Sequence, residues 1–356
     1  MKKAKSPYPP RRRWVTALVI ILGLLVGVLT SAWVYVYGLL GQINYEKTPD
    51  TISIGATFKP LVDDRLSDAD EQLKELRSGD VMEDSAVTNI LLIGTDTREP
   101  GRMANSDTMI LFSYNRDTQK IMLTSFMRDM YVTIPEVGNY KMNHATMVGG
   151  PDLLLRTLEQ NFKVKVDHYV LVDFYSFAKI VDVLGGVELE VTENERFYLN
   201  YSVQRMNEKE GRPADSNLLD QAGLVNLTGA QAVGYSRIRA VGNADYQRTS
   251  RQRIVMTKII EKLKGASAGE LLEVMEEVLP YVTTNMDKGQ LFSYVTEAPT
   301  MLKSPLEQLR LPDDGLYSSV TIDGMDVLLP DYAANIIQLQ ETIYNRNNIQ
   351  QAENIK

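Results

Sequence analysis

"QKIMLTSFMRDMYVTI", residues 119–134, is a β-rich run that carries an unusual charged pair, Arg128 and Asp129, in its middle. Four comparable runs end in turn residues: "TNILLIGTD" (88–96), "DTMILFSYN" (107–115), "VDHYVLVDF" (166–174) and "GVELEV" (186–191). Their β-branched and aromatic content is typical of strands. The charged pair is therefore the feature that a function must explain.

Helical patterns lie between and after these runs. "GGPDLLLRTLEQNF" places Pro151 in a first helical turn, and "YSFAKIVDVLGG" ends on a glycine pair suited to a C-cap. Further helices are predicted in 251–266, 268–282, 287–302 and 332–344. Strands that alternate with helices favour an α/β fold with a central mixed sheet covered by helices on both faces, an α/β/α sandwich.

The N-terminal segment predicts a membrane anchor. A basic tail, 1–13, precedes the stretch 14–40, which contains no charged residue and has aromatic residues near its ends. About 20 such residues cross a bilayer, and basic residues stay in the cytoplasm. We expect one transmembrane helix with the rest of the chain outside the cell membrane. A cleaved signal peptide and a buried core helix are the alternatives.

Three further segments complete the predicted organisation. The polar stretch 41–86 is interpreted as a stalk or accessory segment, in which "DDRLSDADEQLKELRSGD" (63–80) forms a short solvated helix. Residues 87–345 are expected to form the main folded domain, the candidate for any catalytic function, and 346–356 a polar tail.

Composition excludes several kinds of chemistry. The 356 residues include no cysteine and two histidines, so a thiol nucleophile, a thiolate zinc site or a multi-histidine metal centre cannot form. The net charge of -8 argues against nucleic acid as a partner. Catalysis must depend on carboxylates, arginines, hydroxyls or a hard cation.

Charged residues mark three predicted strand ends. Asp96 and Arg98 follow the first strand, Asp107 precedes the second, and Arg128 and Asp129 interrupt the third. Strand ends are where open α/β sheets bind ligands. A surface ion pair or a turn-capping aspartate is the alternative for each pair.

A second cluster, "GYSRIRAVGNADYQRTSRQR" (234–253), contains five arginines: Arg237, Arg239, Arg248, Arg251 and Arg253. On a strand, Arg237 and Arg239 share one face; on the following helix, Arg248 and Gln252 do. Guanidinium groups arranged in this way suit a bidentate grip on phosphate. A solvated basic face is the alternative.

Taken in order, these motifs resemble the LytR-CpsA-Psr proteins of Gram-positive cell envelopes. The resemblance covers nearly the whole chain and includes "NSDTMILFS", "KMNHATMVGGPDLLLRTLE", "LTGAQAVGYSRIR" and "YQRTSRQR" besides the strands above. It implies a membrane-anchored extracytoplasmic phosphotransferase that moves a glycopolymer from a polyprenyl-diphosphate carrier to peptidoglycan through a phosphodiester bond. It also implies a hydrophobic tunnel for the polyprenyl chain.

The resemblance assigns roles to individual residues. Arg128 matches the diphosphate-binding arginine, with Asp129 as its orienting partner or a turn cap. Asp96 and Asp107 match an acidic pair associated with Mg²⁺, for which Mn²⁺ is an alternative. The remaining phosphate and head-group contacts are Arg237, Arg239, Arg248 and Gln252.

The chain departs from the family pattern at Asn105, where an arginine is common. Arg98 or Arg102 in the same loop is expected to supply the missing charge, and a solvated loop residue is the alternative. Two other functions stay open: a lipid-diphosphate hydrolase, and a non-catalytic envelope protein that binds polyprenyl phosphate. His144 is expected to form structural hydrogen bonds rather than act as a base.

Overall fold

The computed structural model describes residues 30–31, 33–49, 52–55, 59–96 and 104–345. A seven-stranded mixed sheet forms its centre, with the order β1-β10-β7-β2-β3-β4-β11. Its strands are β1 (Asn44–Tyr45), β2 (Val87–Thr95), β3 (Ser106–Asn115), β4 (Lys120–Phe126), β7 (His168–Asp173), β10 (Thr283–Thr284) and β11 (Leu306–Leu311). Three two-stranded antiparallel sheets accompany it. Two are hairpins, β5 (Tyr131–Ile134) with β6 (Gly138–Lys141) and β12 (Tyr317–Ile322) with β13 (Met325–Pro330); in the third, β8 (Val187–Val191) pairs with β9 (Gly223–Leu227) across an intervening helix.

Helices cover both faces of this sheet, as the sequence predicts. They are α1 (Ser67–Leu76), α2 (His144–Phe162), α3 (Phe174–Val183), α4 (Glu193–Lys209), α5 (Gly229–Ser236), α6 (Ala244–Lys264), α7 (Ala268–Val278), α8 (Lys288–Met301) and α9 (Tyr332–Tyr344). Helices α2 and α9 bury the face that carries Leu91 and Leu111, whereas α6 packs Ile260 against Ile110 and Leu123 on the other face.

The two faces of the sheet are packed differently. On the first face Leu91, Ile93 and Leu111 are fully buried. On the second face Leu92 and Phe112, one residue further along the same strands, are only half-buried. Alternate residues of a strand point to opposite faces, so Leu92 and Phe112 leave part of the second face incompletely covered, although Ile110 and Leu123 on that face are buried.

The described parts of segment 41–86 pack on the domain, so they do not form a solvated stalk. Strand β1 joins the edge of the main sheet beside β10. Leu66, Leu73 and Leu76 are buried in the same core cluster as the inner strands. Helix α1 buries only a narrow apolar stripe, so its sequence is mostly polar and did not predict this packing.

Within the described residues, no helix combines the length and apolar character needed to cross a membrane. Most of the predicted transmembrane segment 14–40, and the tails 1–13 and 346–356, lie outside those residues. The last residues of that segment, Leu39 and Leu40, are buried against Leu279 and Leu291, so the predicted span extends too far into the domain.

The opening run is two strands rather than one. Strand β4 ends at Phe126, and a turn closed by the Met130 N–H to the Met127 carbonyl carries Arg128 and Asp129 before β5 begins. The prediction of a strand for Arg237 and Arg239 is also wrong, because Arg237 caps α5 and Arg239 lies in the loop before α6.

Candidate phosphate-binding site

Sheet topology brings the predicted charged residues to one edge. Strand β3 runs antiparallel to β2 and β4, so its beginning meets their ends. Asp107 lies at the beginning of β3, Asp96 follows β2, and Arg128 comes two residues after β4. The loop between α5 and α6 adds its arginines at the same edge.

Arg128 is the centre of this cluster. Its Nη1 donates to Asp107 at 2.7 Å, and its Nε contacts Asp245 at 3.2 Å and Asp129 at 3.3 Å. Burial opposes the charge of Arg128, but Asp245, Asp129 and Asp107 outweigh burial and raise its pKa. The guanidinium stays charged and is held in one orientation.

Two further arginines share the same carboxylates. The Arg239 guanidinium lies 3.2 Å from Asp245 and 3.8 Å from Asp107. The Arg248 guanidinium lies 3.4 Å from Asp245 and 3.8 Å from Asp107. The Arg248 side chain is only 3% exposed. Burial, which outweighs its carboxylate partners, lowers the pKa of Arg248 to about 10, and the charges of Arg128 and Arg239 add to this effect.

This arrangement is costly without an anion. Guanidinium groups that crowd together are stable only when negative charge lies between them. In the structure Asp107 and Asp245 supply that charge, and the buried Nε of Arg248 has no hydrogen-bond partner in the described part of the chain. Guanidinium groups placed in this way can also donate to phosphate oxygens.

Arg237 and Asp96 form a second, more exposed pair beside the cluster. Arg237 Nη2 lies 3.3 Å from Asp96 Oδ2, and their side chains are 31% and 37% exposed. The guanidinium also stacks over the ring of Phe174, 4.6 Å from its centroid. Such stacking on an aromatic face fixes a planar cation without neutralising it.

Asp129 connects the cluster to a lysine. Its Oδ1 accepts from Lys141 Nζ at 2.8 Å, while its Oδ2 faces Arg128. Burial opposes the charge of Asp129, but Lys141 and Arg128 outweigh burial and lower its pKa. Nearby, burial and the charge of Lys141 lower the pKa of His144 to about 4, so this histidine is neutral at pH 7.

Gln252 reaches the site only weakly, since its Nε2 lies 3.5 Å from the Asp107 carbonyl. Arg253 lies apart: its Nε donates to Gln308, and burial, followed by the charge of Arg310, lowers its pKa to about 10.

Arg251 has a structural role instead of a phosphate-binding one. Its Nε donates to Glu195 at 2.9 Å, and its terminal nitrogens donate to the carbonyls of Ile238 and Val241. The side chain is 5% exposed. It therefore holds the loop that carries Arg237 and Arg239.

Asn105 lies immediately before β3, and its Oδ1 is buried without a hydrogen-bond partner among the described residues. Arg98 and Arg102, the arginines expected to compensate for it, lie outside those residues.

A hard cation fits the donors here only with help from a substrate. The described residues contain no group of three or more histidine or acidic side chains placed to hold a metal ion. Asp96 and Asp107 both supply oxygen atoms at this edge. Mg²⁺ is commonly held by one or two carboxylates plus substrate phosphates, so this donor set fits it once a diphosphate is present.

Sequence reasoning missed Asp245 and Phe174. Asp245 contacts three arginines, and its signal was its place three residues before Arg248 in a helical first turn. Phe174 gave no signal, because a helix that follows a strand in the sequence does not reveal which distant loop packs on it.

Comparison with known proteins agrees with the family resemblance seen in the sequence. A family model described as the LytR_cpsA_psr family matches residues 61–342. The teichoic acid transferase TagU of Oceanobacillus iheyensis, whose full name is polyisoprenyl-teichoic acid–peptidoglycan teichoic acid transferase, is 30% identical over 303 residues, 82% of this chain and 83% of that protein.

Solved structures share the fold. A Streptococcus agalactiae protein superposes with a TM-score of 0.60 at 22% identity, over 74% of this chain and 90% of that one. The LytR-CPS2A-psr protein YwtF (TagT) with bound octaprenyl pyrophosphate superposes with a TM-score of 0.54 at 24% identity, over 76% and 94%. The family model covers most of the domain, so the chain belongs to the LytR-CpsA-Psr family.

Proposed function

We propose that this protein is a phosphotransferase that moves a glycopolymer from a polyprenyl-diphosphate carrier to peptidoglycan. The observation that carries the proposal is the group of three arginines, Arg128, Arg239 and Arg248, gathered on two shared carboxylates. The name of the TagU relative and the octaprenyl pyrophosphate in the TagT structure support the same substrate class.

In the proposed reaction an acceptor hydroxyl attacks the phosphorus that bears the glycopolymer. A new oxygen–phosphorus bond forms, the bond to the polyprenyl phosphate breaks, and the polyprenyl phosphate leaves with the electron pair. The hydroxyl proton passes to one of the two carboxylates, Asp96 or Asp107. Arg128, Arg239 and Arg248 stabilise the charge that develops on the phosphoryl oxygens.

We propose that Asp96 and Asp107 hold Mg²⁺, or Mn²⁺, together with the diphosphate. The bound ion would neutralise phosphate charge and orient the two phosphoryl groups. Arg128, Arg237 and Arg239 each already have a carboxylate partner within the protein. A diphosphate therefore brings excess negative charge, which a divalent cation offsets.

The half-buried sheet face is the proposed site of the polyprenyl chain. Leu92, Phe112 and Val170 are incompletely covered there, and Phe177 and Ile180 of α3 are partly buried where they pack against a second core cluster. Apolar surface that is not closely packed is suited to hold a flexible hydrocarbon. We further propose that segment 14–40 anchors the protein in the cell membrane, with the domain outside.

The test is reconstitution. Purified protein is mixed with a synthetic lipid-diphosphate glycan, peptidoglycan oligomers and Mg²⁺, and products are analysed by mass spectrometry. A phosphodiester-linked adduct supports transfer. A phosphorylated glycan released into water supports the hydrolase, and unchanged substrate that still binds the protein supports the non-catalytic alternative; either result contradicts the proposal.

A further inference from the structure

A cleft of about 540 Å³ opens beside the arginine cluster. One wall is the side of α4 that carries Phe197, Tyr201 and Lys209, and the other wall is the loop 237–240. This α4 cleft is continuous with the candidate site, because Arg237 and Arg239 belong to both.

Large aromatic rings are left open to solvent on the α4 wall. Phe197 is 65% exposed, Tyr201 is 57% exposed, and the Tyr198 ring meets Phe197 edge-on at 5.1 Å. Exposed apolar surface of this kind, concentrated in one concave place, is typical of binding sites.

The charge of the cleft has one sign. Its lining includes Arg205, Lys209, Arg237 and Arg239 and contains no acidic residue among those the structure describes. Arg205 does have an exposed contact with Glu208 at 3.6 Å, which lies off the lining. Aromatic faces flanked by cations suit a saccharide that carries carboxylates, because the C–H face of a sugar ring packs on the negative face of an aromatic ring.

We propose that the α4 cleft binds the acceptor, a peptidoglycan glycan strand, and delivers its hydroxyl to the phosphate site. This inference rests on the proposed function. The proposed function gives the lipid-linked donor two binding surfaces, the arginine cluster and the apolar sheet face. Neither of these surfaces binds the acceptor. The stem-peptide carboxylates of the acceptor complement Lys209 and Arg205 along the α4 wall, while Arg237 and Arg239 connect the cleft to the phosphate site.

The dimensions of the cleft agree with a linear polymer. Phe197 and Lys209 are twelve residues apart on one helix, which corresponds to about 18 Å at the α-helical rise. A wall of that length offers several successive contacts instead of one small pocket. Tyr201 and Arg205, spaced by four residues, lie on one face of the helix between the two ends.

The experiment measures binding of soluble, lipid-free muropeptide oligomers to the whole protein by calorimetry. The variants are Phe197→Ala, Tyr201→Ala and their combination, and Tyr45→Ala is the matched control, an exposed tyrosine (52%) on β1 outside the cleft. Loss of stacking at both rings is expected to weaken binding by at least about tenfold, while the control stays within about twofold.

Two further binding measurements distinguish a glycan acceptor from other ligands of the α4 cleft. Binding of polyprenyl diphosphate in detergent and binding to anionic phospholipid vesicles are measured on the same variants, and both are expected to stay unchanged. Unaltered muropeptide binding in the double variant overturns the inference, as does a loss confined to the lipid-diphosphate arm or to the vesicle arm. Because no arm requires turnover, a wild-type protein that binds muropeptides but transfers nothing would contradict the proposed function and leave the α4 cleft standing.

Discussion

Asp245 and Asp107 show how single residues prepare this site for an anion. Each lies within 4 Å of Arg128, Arg239 and Arg248, so two carboxylates neutralise three guanidiniums only in part. Asp245 is therefore expected to position the arginines rather than to contact the substrate.

Substitutions of Asp96 and Asp107 should have the same effect on activity but different effects on stability. Both Asp96→Asn and Asp107→Asn are expected to abolish transfer. Asp107 neutralises a nearly buried arginine, so its variant should lose about 1–3 kcal/mol of unfolding free energy, whereas the exposed Asp96 variant should change by less than about 0.5 kcal/mol. Urea unfolding and the transfer assay measure the two effects. Full activity of either variant, or equal wild-type activity in excess EDTA, contradicts the magnesium proposal.

His144 gives stability a predictable pH dependence. Burial and Lys141 lower its pKa from 6.5 to about 4, so between these values the unfolded chain binds the extra proton. Stability from this group is complete above pH 6.5 and is lost as the pH falls towards 4. The denaturation midpoint of the His144→Gln variant should therefore depend less on pH over this range than that of wild type. His168, whose pKa burial also lowers, is present in both proteins and contributes equally to both profiles, so identical pH profiles for wild type and His144→Gln would refute the assignment.

At the scale of elements, strand polarity is what assembles the site. The sequence was sufficient to predict β2, β3, β4, β7 and the main helices, because their apolar runs are long and end in turn residues. The sequence also singled out Asp96, Asp107 and Arg128 as charged residues at strand ends, and the structure brings them to one edge of the sheet, while their roles stay a prediction. Sequence could not give the antiparallel direction of β3, which depends on tertiary pairing, or the loop conformation of Arg237 and Arg239, which long-range contacts with Arg251 decide.

Helix α1 belongs to the folded domain, so it should respond to mutation as a core element. Leu73 is 1% exposed and packs in the main cluster. Leu73→Ala is expected to cost about 2–5 kcal/mol of unfolding free energy because it leaves a cavity. Val62→Ala, at a residue 76% exposed, is the control and should change stability by less than about 0.5 kcal/mol. Equal effects of the two substitutions would restore the stalk interpretation.

Arg251 should act on the reaction through the loop that it holds. Arg251→Met leaves Glu195 as a buried unpaired charge, which typically costs about 3–5 kcal/mol. Arg251→Met with Glu195→Leu removes both charges and should recover much of that loss. Transfer should stay impaired in the double variant, because the carbonyls of Ile238 and Val241 still lack their donor. Recovery of stability and full activity together would show that the loop does not need Arg251.

On the scale of the whole molecule, we assign different roles to the two faces and the two ends of one sheet. One face is covered by the main core cluster; the other, where Leu92 and Phe112 are only partly buried, is the proposed lipid site. One end carries the arginine cluster. At the opposite end, Arg116 follows β3 and pairs with Glu297 at 2.6 Å, an ordinary structural ion pair.

This contrast provides the most direct test of the central claim, that Arg128 and its neighbours bind the diphosphate for transfer. The measurement is the initial rate of phosphodiester formation for wild type, Arg128→Ala and Arg116→Ala, with unfolding free energies determined in parallel. Loss of a preorganised cationic group should slow Arg128→Ala by at least about 100-fold, while Arg116→Ala stays within about threefold of wild type. Comparable rates for a folded Arg128→Ala and for wild type would contradict the account.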